Sequence, residues 1–382
     1  MNLPPVDEAS LVRDRRDLHQ HPELGFQETR TSTLAAERLR ALGYDVRTGV
    51  GRTGVLGIRG KGGRCVLLRA DMDALPVAEA NDVPYRSHHS GRMHACGHDG
   101  HVAIGLETAR RLAAMALPGT VKIAFQPAEE LSGGAAAMID DGVLAAPEVG
   151  AALGLHLWNE LPVGTIGLMP GPIMASVDEF EITITGTGGH AAMPHLAIDP
   201  VLVAAHVVTA LQSLVSRRRD PFEAGVVSVT QLSAGHAFNV IPAEAKLLGT
   251  VRTFGGRFYE DAPRLVADTA RGLATAFGAT AEVRFRRLTG PLVNDPAITD
   301  LMRGVAEEIV GKEHVKPGVR TMGGEDMSRF LERVPGCFAF VGSGRVDGTS
   351  ASHHSPHFDI EEAALTIGAE LLSRTAVRYL AG

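Results

Sequence analysis

Residues 121–157 read VKIAFQPAEELSGGAAAMIDDGVLAAPEVGAALGLHL, and this stretch decides the predicted fold. Its pattern predicts a strand over 121–125, a helix over 134–141 and a second strand over 151–157. Two strands joined through a helix indicate a β-α-β unit, in which the strands lie parallel. The stretch therefore predicts a protein of the α/β class.

The same alternation of strands and helices continues on both sides of this unit. Upstream, the patterns predict helices over 7–21, 29–42 and 101–116 and strands over 54–59 and 65–69. Downstream, a helix over 296–310 and a strand over 337–341 resume the alternation. Such alternation is typical of a mixed, mostly parallel sheet covered by helices.

Residues 176–289 have a different pattern. The predicted elements there are, in order, strand 180–185, helix 199–216, strands 225–232 and 245–253, helix 263–277 and strand 280–287. The order β-α-β-β-α-β is that of a ferredoxin-like unit. We therefore predict an inserted α+β domain over 176–289, which interrupts an α/β domain made of 1–175 and 290–382.

Composition and charge exclude several classes of function. The chain has 37 basic and 44 acidic residues and a net charge of −7, and its one dense basic run is Arg217-Arg218-Arg219, so a nucleic-acid partner is not expected. No unbroken apolar run reaches the ~18 residues of a membrane span, and residues 1–10 lack a signal-peptide pattern. The three cysteines are widely spaced, at 65, 96 and 337. We expect a cytoplasmic protein without disulfides or a membrane partner.

A metal site is indicated by residues 88–101, HHSGRMHACGHDGH, which hold five of the sixteen histidines. Imidazole and thiolate are preferred ligands of first-row transition metals. Cys96 and His98 stand two residues apart, so an extended loop would point both donors to one side. His94 and His101 are weaker candidates, and His88 and His89 are expected to be exposed.

Further donors follow the predicted strands. Asp71 and Asp73 follow the strand 65–69, Glu129 and Glu130 follow 121–125, and His156 lies near the end of 151–157. A later loop carries His353, His354 and His357, one of which could complete the site. Because ligands of open α/β sheets bind beyond the carboxyl ends of the strands, these loops predict one shared site.

Adjacent carboxylates suit metal-assisted hydrolysis. Since neighbouring side chains diverge, one of Glu129 and Glu130 could bind a metal while the other acts as a base. The alternative is an acidic start to the helix that follows. In the inserted domain, His190, Asn239 and Arg252 suit a carbonyl oxygen and a carboxylate.

Nine ordered motifs closely resemble those of the M20 metallopeptidase family. The match is to its branch of hippurate hydrolases, N-acyl-amino-acid amidohydrolases and auxin-conjugate hydrolases, and it covers nearly the whole chain. The motifs are DLHQHPELGF (17–26), RADMDALP (69–76), HACGHDGH (94–101), FQPAEE (125–130), GLH (154–156), GGHAAMPH (188–195), NVIP (239–242), GGEDM (323–327) and HSPHF (354–358).

The resemblance implies a role for each candidate residue. The family's ligands for two metal ions fall on Cys96, His98, Glu130, His156 and His354. Cys96 stands where other M20 branches have a bridging aspartate. The general base falls on Glu129, a supporting acid on Asp73, the lid histidine for the oxyanion on His190, and the residues that bind the substrate carboxylate on Asn239 and Arg252. Gly323-Gly324 departs from the more usual Gly-Ser, which bears on substrate preference.

The expected function is metal-dependent cleavage of N-acyl amino acids into a carboxylic acid and an amino acid. An N-acetyl-diaminopimelate deacetylase or a dipeptidase is the alternative within this class. A non-catalytic metal-binding protein and a thiol-redox protein that uses Cys96 are alternatives from other classes. The expected cofactors are two divalent ions, zinc or manganese first and cobalt or nickel second. The resemblance also implies a homodimer formed through the inserted lid domain.

Overall fold

The computed structural model describes residues 3–382, which divide into two compact units. The first unit contains the chain up to Ile173, together with Val293–Arg320 and Asp326–Gly382. The second unit contains Met174–Leu292 and the short segment Thr321–Glu325. That segment lies far along the sequence from the rest of its unit, and no local sequence pattern assigns it there.

The helices and strands of the described residues are numbered in chain order. The helices are α1 (Glu8–Gln20), α2 (Thr29–Ala41), α3 (His98–Ala113), α4 (Gly134–Asp140), α5 (Pro200–Ser213), α6 (Gly256–Ala276), α7 (Pro296–Val310), α8 (Ser328–Leu331) and α9 (Ala363–Ala381). The strands are β1 (Asp45–Val50), β2 (Gly54–Gly60), β3 (Cys65–Asp71), β4 (Thr120–Gln126), β5 (Ala151–Pro162), β6 (Ile166–Gly167), β7 (Gly171–Met174), β8 (Val177–Thr185), β9 (Gly189–His190), β10 (Gly225–Ala234), β11 (Val240–Ile241), β12 (Glu244–Thr253), β13 (Thr280–Thr289), β14 (Leu292–Asn294), β15 (Val315–Lys316) and β16 (Gly336–Gly344).

The first unit is built on an eight-stranded sheet with the order β1-β2-β4-β3-β5-β16-β6-β15. Within the described residues, four of its seven neighbouring strand pairs are parallel, namely β4-β3, β3-β5, β5-β16 and β6-β15. The other three pairs are antiparallel. This confirms the mixed, mostly parallel sheet, and the antiparallel strands β1 and β2 form one edge of it.

The core of the first unit explains why these strands form. Every residue of β3, β4 and β16 is buried, as expected for parallel strands in the middle of an α/β sheet. Helices α1, α2, α3, α7 and α9 add Leu18, Leu39, Ile104, Met302 and Leu365 to the same hydrophobic core. Burial of this apolar surface provides the main favourable free energy of folding.

The second unit contains a four-stranded antiparallel sheet with the order β10-β12-β8-β13. Buried and less buried residues alternate along β8, which places Phe180, Ile182 and Ile184 in the core. Helices α5 and α6 contribute Val207 and Val266 to that core. The chain order β8-α5-β10-β12-α6-β13 is the predicted ferredoxin-like order.

Two predicted helix starts are wrong. Helix α3 begins at His98 rather than at residue 101. Helix α6 begins at Gly256 and contains Pro263, which the sequence pattern had suggested as its first residue. The Glu223 carboxylate accepts hydrogen bonds from the N–H groups of Arg257 and Phe258 at 2.9 and 3.1 Å, so a residue distant in sequence stabilises the earlier start.

One helical segment qualifies the expectation that no apolar run is long enough to span a membrane. Residues Pro200–Arg218 are long and apolar enough, by length and average composition, to cross a membrane, although polar residues interrupt them. In the second unit, Val203, Val207 and Leu211 of α5 lie in the hydrophobic core. Packing in this core accounts for the apolar composition of the segment.

Candidate metal centre

The register of the central strands brings the predicted loops together. Asp71 pairs with Gln126 where β3 meets β4. Leu68 pairs with Leu153 where β3 meets β5, and both strands continue for three residues to Asp71 and His156. The carboxyl ends of β3 and β4 therefore lie level with His156, at the sheet edge where such sheets bind ligands. β5 itself continues to Pro162, beyond the predicted strand end at residue 157.

The start of α3 brings a fourth segment to this edge. Gly97 immediately precedes the helix and has a φ of 93°, in the left-handed region that favours glycine. Cys96 lies before this turn, and His98 is the first residue of α3. The two donors are therefore separated by a tight turn into a helix, and the predicted extended loop is wrong.

Six of the predicted residues lie in overlapping groups whose possible ligand atoms are within 4.8 Å of one another. The groups are Cys96, His98 and His156; Cys96, Glu130 and His354; and His98, Glu129 and Glu130. The Sγ of Cys96 lies 3.5 Å from Nε2 of His156, and Nε2 of His354 lies 3.4 Å from Oε1 of Glu130. All six residues belong to the first unit.

Backbone carbonyls orient two of the imidazoles. Nδ1–H of His98 donates to the carbonyl of Asp73 at 2.8 Å, and Nδ1–H of His156 donates to the carbonyl of Leu157 at 2.7 Å. With the proton on Nδ1, the lone pair of a neutral imidazole lies on Nε2 and can bind a metal. Nε2 of His98 is buried and has no hydrogen-bond partner among residues 3–382.

The charges around these donors suit a cation. Burial lowers the pKa of His98, but the Asp71 carboxylate and the interactions with Asp73 and Cys96 together outweigh burial and hold that pKa well above its usual value. Hydrogen bonds to Cys96 and Glu130 raise the pKa of His354 to about 10. The thiol and the carboxylate therefore favour a positive charge at His354. The orphaned nitrogen and the mixed sulfur, nitrogen and oxygen donors fit divalent transition metals.

The loop that carries both glutamates is held by its backbone. Oδ1 of Asp73 accepts the N–H of Glu129 at 3.0 Å, and Oδ2 accepts the N–H of Glu130 at 3.0 Å. Asp73 is buried, and its own carbonyl accepts the hydrogen bond from His98. This one residue thus connects the two glutamates to a predicted histidine ligand.

A buried polar network lies behind the metal-ligand candidates. Asp71 binds Nη1 of Arg69 at 2.5 Å through Oδ2 and Nδ1 of His101 at 2.5 Å through Oδ1. Nε2 of His101 accepts the N–H of Leu157 at 2.9 Å, so both ring nitrogens are engaged within the protein. Arg69 also donates to Gln126 and Asp326. Asp71, His98 and His101 also lie close enough to form a metal-capable group, but both ring nitrogens of His101 already have partners, so His101 orients its neighbours.

The sequence placed Asp71 among the donors of the shared site without a specific role, and it gave no role to Asp326. Both aspartates stand inside quoted motifs, RADMDALP and GGEDM, and this was the signal that could have identified them. Their importance depends on burial next to Arg69, and one-dimensional spacing does not reveal burial.

The remaining histidines of the first unit lie outside the metal-capable groups. His88 and His89 are exposed, as expected. His94 is buried, and burial lowers its pKa to about 3. His353 donates from Nε2 to the carbonyl of Leu157 at 3.0 Å, and its ring stacks on Trp158 with centroids 4.5 Å apart.

The predicted substrate residues belong to the second unit. His190 pairs with Val240 between β9 and β11, next to Asn239. The N–H of Ala192 donates to Nδ1 of His190 at 3.1 Å, which places the proton of the neutral ring on Nε2.

Arg252 lies in a different part of the second unit. It stands eight residues beyond Glu244, the first residue of β12. Eight residues of strand span about 27 Å. His190 and Asn239 lie beyond the Glu244 end of that strand, because Glu244 pairs with Thr185 and Ala243 accepts the N–H of Gly186. A single copy of the unit therefore does not bring Arg252 together with His190.

Comparison with known proteins identifies the family. Residues 67–378 match the model of peptidase family M20/M25/M40. The chain belongs to this family. As a member, it is a hydrolase that acts on amide bonds.

Individual relatives agree with this membership over nearly the whole chain. It is 40% identical to N-acetylcysteine deacetylase of Bacillus subtilis over 379 residues, which cover 97% of each chain. It is 39% identical to IAA-amino acid hydrolase ILR1-like 4 of Arabidopsis thaliana over 378 residues, 97% of this chain and 86% of the relative.

A solved structure resembles the M20 chain in the same way. This is the YXEP protein of Bacillus subtilis, described as a dinuclear metal-binding peptidase of the M20 family. The TM-score is 0.85 at 35% identity, and the match covers 98% of each chain. The fold predicted from the motifs is confirmed by this likeness.

Proposed function

We propose that this chain is a metal-dependent amidohydrolase that cleaves N-acyl amino acids into a carboxylic acid and a free amino acid. The main support is the position of Glu129. It lies in one group with His98 and Glu130, which are themselves candidate metal ligands. A protein that only stores metal needs the ligands but no additional carboxylate beside them. N-acyl amino acids are the substrates named for both relatives, one a deacetylase of N-acetylcysteine and the other a hydrolase of IAA-amino acids.

Two divalent ions are proposed to be held by Cys96, His98, Glu130, His156 and His354. Zinc and manganese are favoured by this mixture of donors, with cobalt and nickel as alternatives. Ions bound there would polarise the amide carbonyl and make a water molecule more acidic. The Asp73 carboxylate supports the site by fixing the backbone of Glu129 and Glu130.

The proposed reaction uses Glu129 as a proton carrier. Glu129 takes a proton from water as the water oxygen bonds to the amide carbonyl carbon. His190, whose Nε2 carries a proton, is proposed to donate to the oxyanion that forms on the carbonyl oxygen. Glu129 then gives its proton to the nitrogen as the carbon–nitrogen bond breaks, which releases the amine.

Metal analysis combined with a substrate screen tests this function. The purified protein would be assayed for bound metals and then incubated with N-acetyl, N-benzoyl and N-indoleacetyl amino acids, N-acetyl-diaminopimelate and dipeptides. We expect about two ions per chain and release of amino acids from the N-acyl substrates. Hydrolysis of dipeptides or of N-acetyl-diaminopimelate alone would establish one of those two alternative activities. Bound metal without hydrolysis of any amide would contradict the proposal.

Arg252 is proposed to bind the α-carboxylate of the substrate. Arg252 is half-buried, and this burial lowers its pKa. Its guanidinium lies beside Gly324: a β-carbon added there would be 3.2 Å from Nη1 of Arg252. Arg252→Ala should raise KM for N-acetyl amino acids by about 10- to 100-fold, because a hydrogen bond to a charged group is lost. KM for the corresponding amides, which lack the carboxylate, should change little.

The control for this prediction is Arg284→Ala. Arg284 is an exposed arginine of β13 that pairs with Glu282. Steady-state kinetics on matched acid and amide substrates measure the difference. Equal effects of Arg252→Ala on both substrates would contradict carboxylate recognition by this residue.

A homodimer through the second unit is proposed because one copy of this unit keeps Arg252 apart from His190. The outer edge of β10 pairs with no strand among residues 3–382, and its Leu232 is 46% exposed. Helix α5 also exposes Val201 and Leu202. An unprotected edge strand beside exposed apolar side chains is a surface that a second copy can cover.

Mixing two inactive variants tests this arrangement. His190→Ala and Arg252→Ala should each be nearly inactive at low substrate concentration. If each site uses His190 of one copy and Arg252 of the other, a mixed dimer contains one intact site. We therefore expect activity to appear on mixing and a dimeric mass in light scattering. A monomeric mass, or a mixture no more active than its components, would contradict the shared site.

A cytoplasmic location is also proposed. Cys65, Cys96 and Cys337 are all free thiols. Free thiols persist in the reducing cytoplasm, whereas exported proteins commonly form disulfides.

A further inference from the structure

Glu28 stands immediately before α2 but does not cap it. It occupies the N-cap position, and its side chain makes no capping hydrogen bond. The first N–H groups of α2 are bound by another carboxylate, that of Glu23, which accepts from Arg30 at 2.9 Å and from Thr31 at 2.8 Å. The Glu28 side chain is therefore not needed for the start of this helix.

The carboxylate of Glu28 is directed to the loop of the two glutamates. Oε1 accepts the N–H of Ala128 at 2.8 Å, and Oε2 accepts the hydroxyl of Thr53 at 2.6 Å. Glu28 is completely buried. Burying a carboxylate is costly unless its hydrogen bonds compensate, so the position is not explained by packing alone.

The loop conformation needs external support. Ala128 has a φ of 49°, in the left-handed region that is unfavourable for a residue with a β-carbon. Its N–H binds Glu28, and the next two N–H groups, of Glu129 and Glu130, bind Asp73. Two buried carboxylates thus hold three consecutive backbone N–H groups, one on each residue from 128 to 130.

Packing also determines where the loop can lie. A β-carbon on Gly54 would come within 2.9 Å of Cδ of Pro127, and one on Gly134 would come within 1.5 Å of the Pro127 carbonyl oxygen. The backbone at Pro127 is therefore enclosed on both sides. Glu28 holds the next residue along the chain, directly before the two glutamates.

We propose that Glu28 is a positioning residue for amide hydrolysis, which fixes through Ala128 the backbone from which Glu129 and Glu130 project. This inference rests on the proposed function, in which Glu129 is the base. Misplacing a catalytic group by about 1 Å can cost about 100-fold in rate. The role predicts a defect in the reaction step rather than in substrate binding, since Glu28 acts only through the loop.

Three variants test the role of Glu28. Glu28→Ala should lower kcat by about 10- to 100-fold and leave KM nearly unchanged. Glu28→Gln keeps an oxygen that can accept the Ala128 N–H and should recover most of kcat. Glu23→Ala is the matched control, because it removes a carboxylate from the same segment and weakens the start of α2 without touching the loop. It should lower the melting temperature but not kcat.

Amide hydrogen exchange gives a readout that is independent of activity. In the metal-free protein, exchange at residues 128–130 should accelerate in Glu28→Ala and remain slow in Glu28→Gln and Glu23→Ala. If Glu28→Ala does not fold, Thr53→Val removes the hydroxyl that orients the other oxygen and should lower kcat by about 3- to 10-fold.

The positioning role would be overturned by wild-type kcat in Glu28→Ala or, where that variant does not fold, by wild-type kcat in Thr53→Val. Unchanged exchange at residues 128–130 in the variant tested would overturn it as well. Failure of the proposed function is distinguishable, because then Glu129→Gln would itself remain active. Loss of activity in Glu129→Gln together with full activity in Glu28→Ala would refute this inference alone.

Discussion

Glu129→Gln is expected to abolish nearly all amide hydrolysis while the protein still binds its metals. A positioned general base contributes about 10²- to 10⁴-fold to the rate, and glutamine cannot carry the proton. Glu129 is assigned no metal contact in the proposed site, so metal stoichiometry should remain at the wild-type value. The measurements are kcat on an N-acetyl amino acid and metal content by mass spectrometry.

The control for this variant is Glu148→Gln. Glu148 is an exposed glutamate of the same unit and belongs to none of the metal-capable groups. It should retain wild-type turnover. Wild-type turnover in Glu129→Gln would show that another group is the base and would remove the main support for the proposed mechanism.

Cys96→Ala is expected to have the second-largest effect, on metal binding first and on activity as a consequence. Cys96 is common to two of the metal-capable groups, and its Sγ lies 3.5 Å from Nε2 of His156. Substituting even an outer partner of a metal ligand weakens binding by about 10- to 100-fold, so losing a direct ligand should cost at least about 100-fold. Titration against a competing chelator measures this loss.

Cys65→Ala is the matched control, because Cys65 is also a buried free thiol but lies outside the metal-capable groups. It should bind metal as the wild type does. Unchanged metal affinity in Cys96→Ala would contradict the assignment of Cys96 as a ligand. Rapid alkylation of Cys96 in the fully metal-loaded protein would instead favour the thiol-redox alternative, since a metal-bound thiolate is shielded.

Much of the fold could be predicted because its information is local. The hydrophobic runs over 121–125 and 65–69 lie in fully buried strands, as their composition indicated. Pro200 begins α5 at the first helical turn, where the missing N–H costs nothing. Such signals depend on residues a few positions apart, and a sequence displays them directly.

Other features depend on partners distant in sequence. The start of α6 at Gly256 depends on Glu223, and the left-handed turn at Gly97 makes His98 the first residue of a helix. The segment Thr321–Glu325 joins the second unit although the residues on both sides of it belong to the first. No pattern within a short window records these contacts.

The candidate site likewise combines features that the sequence predicts with features that only folding produces. The sequence by itself determined the chemical types of the donors and their position after the predicted strands, because side-chain chemistry and strand periodicity are local properties. Only the tertiary structure shows that Nε2 of His98 has no hydrogen-bond partner among the described residues. It also shows that Arg252 and His190 lie far apart within one unit, and that Glu28 binds the backbone of the loop that carries Glu129. These depend on burial and hydrogen bonding between segments that only folding brings together.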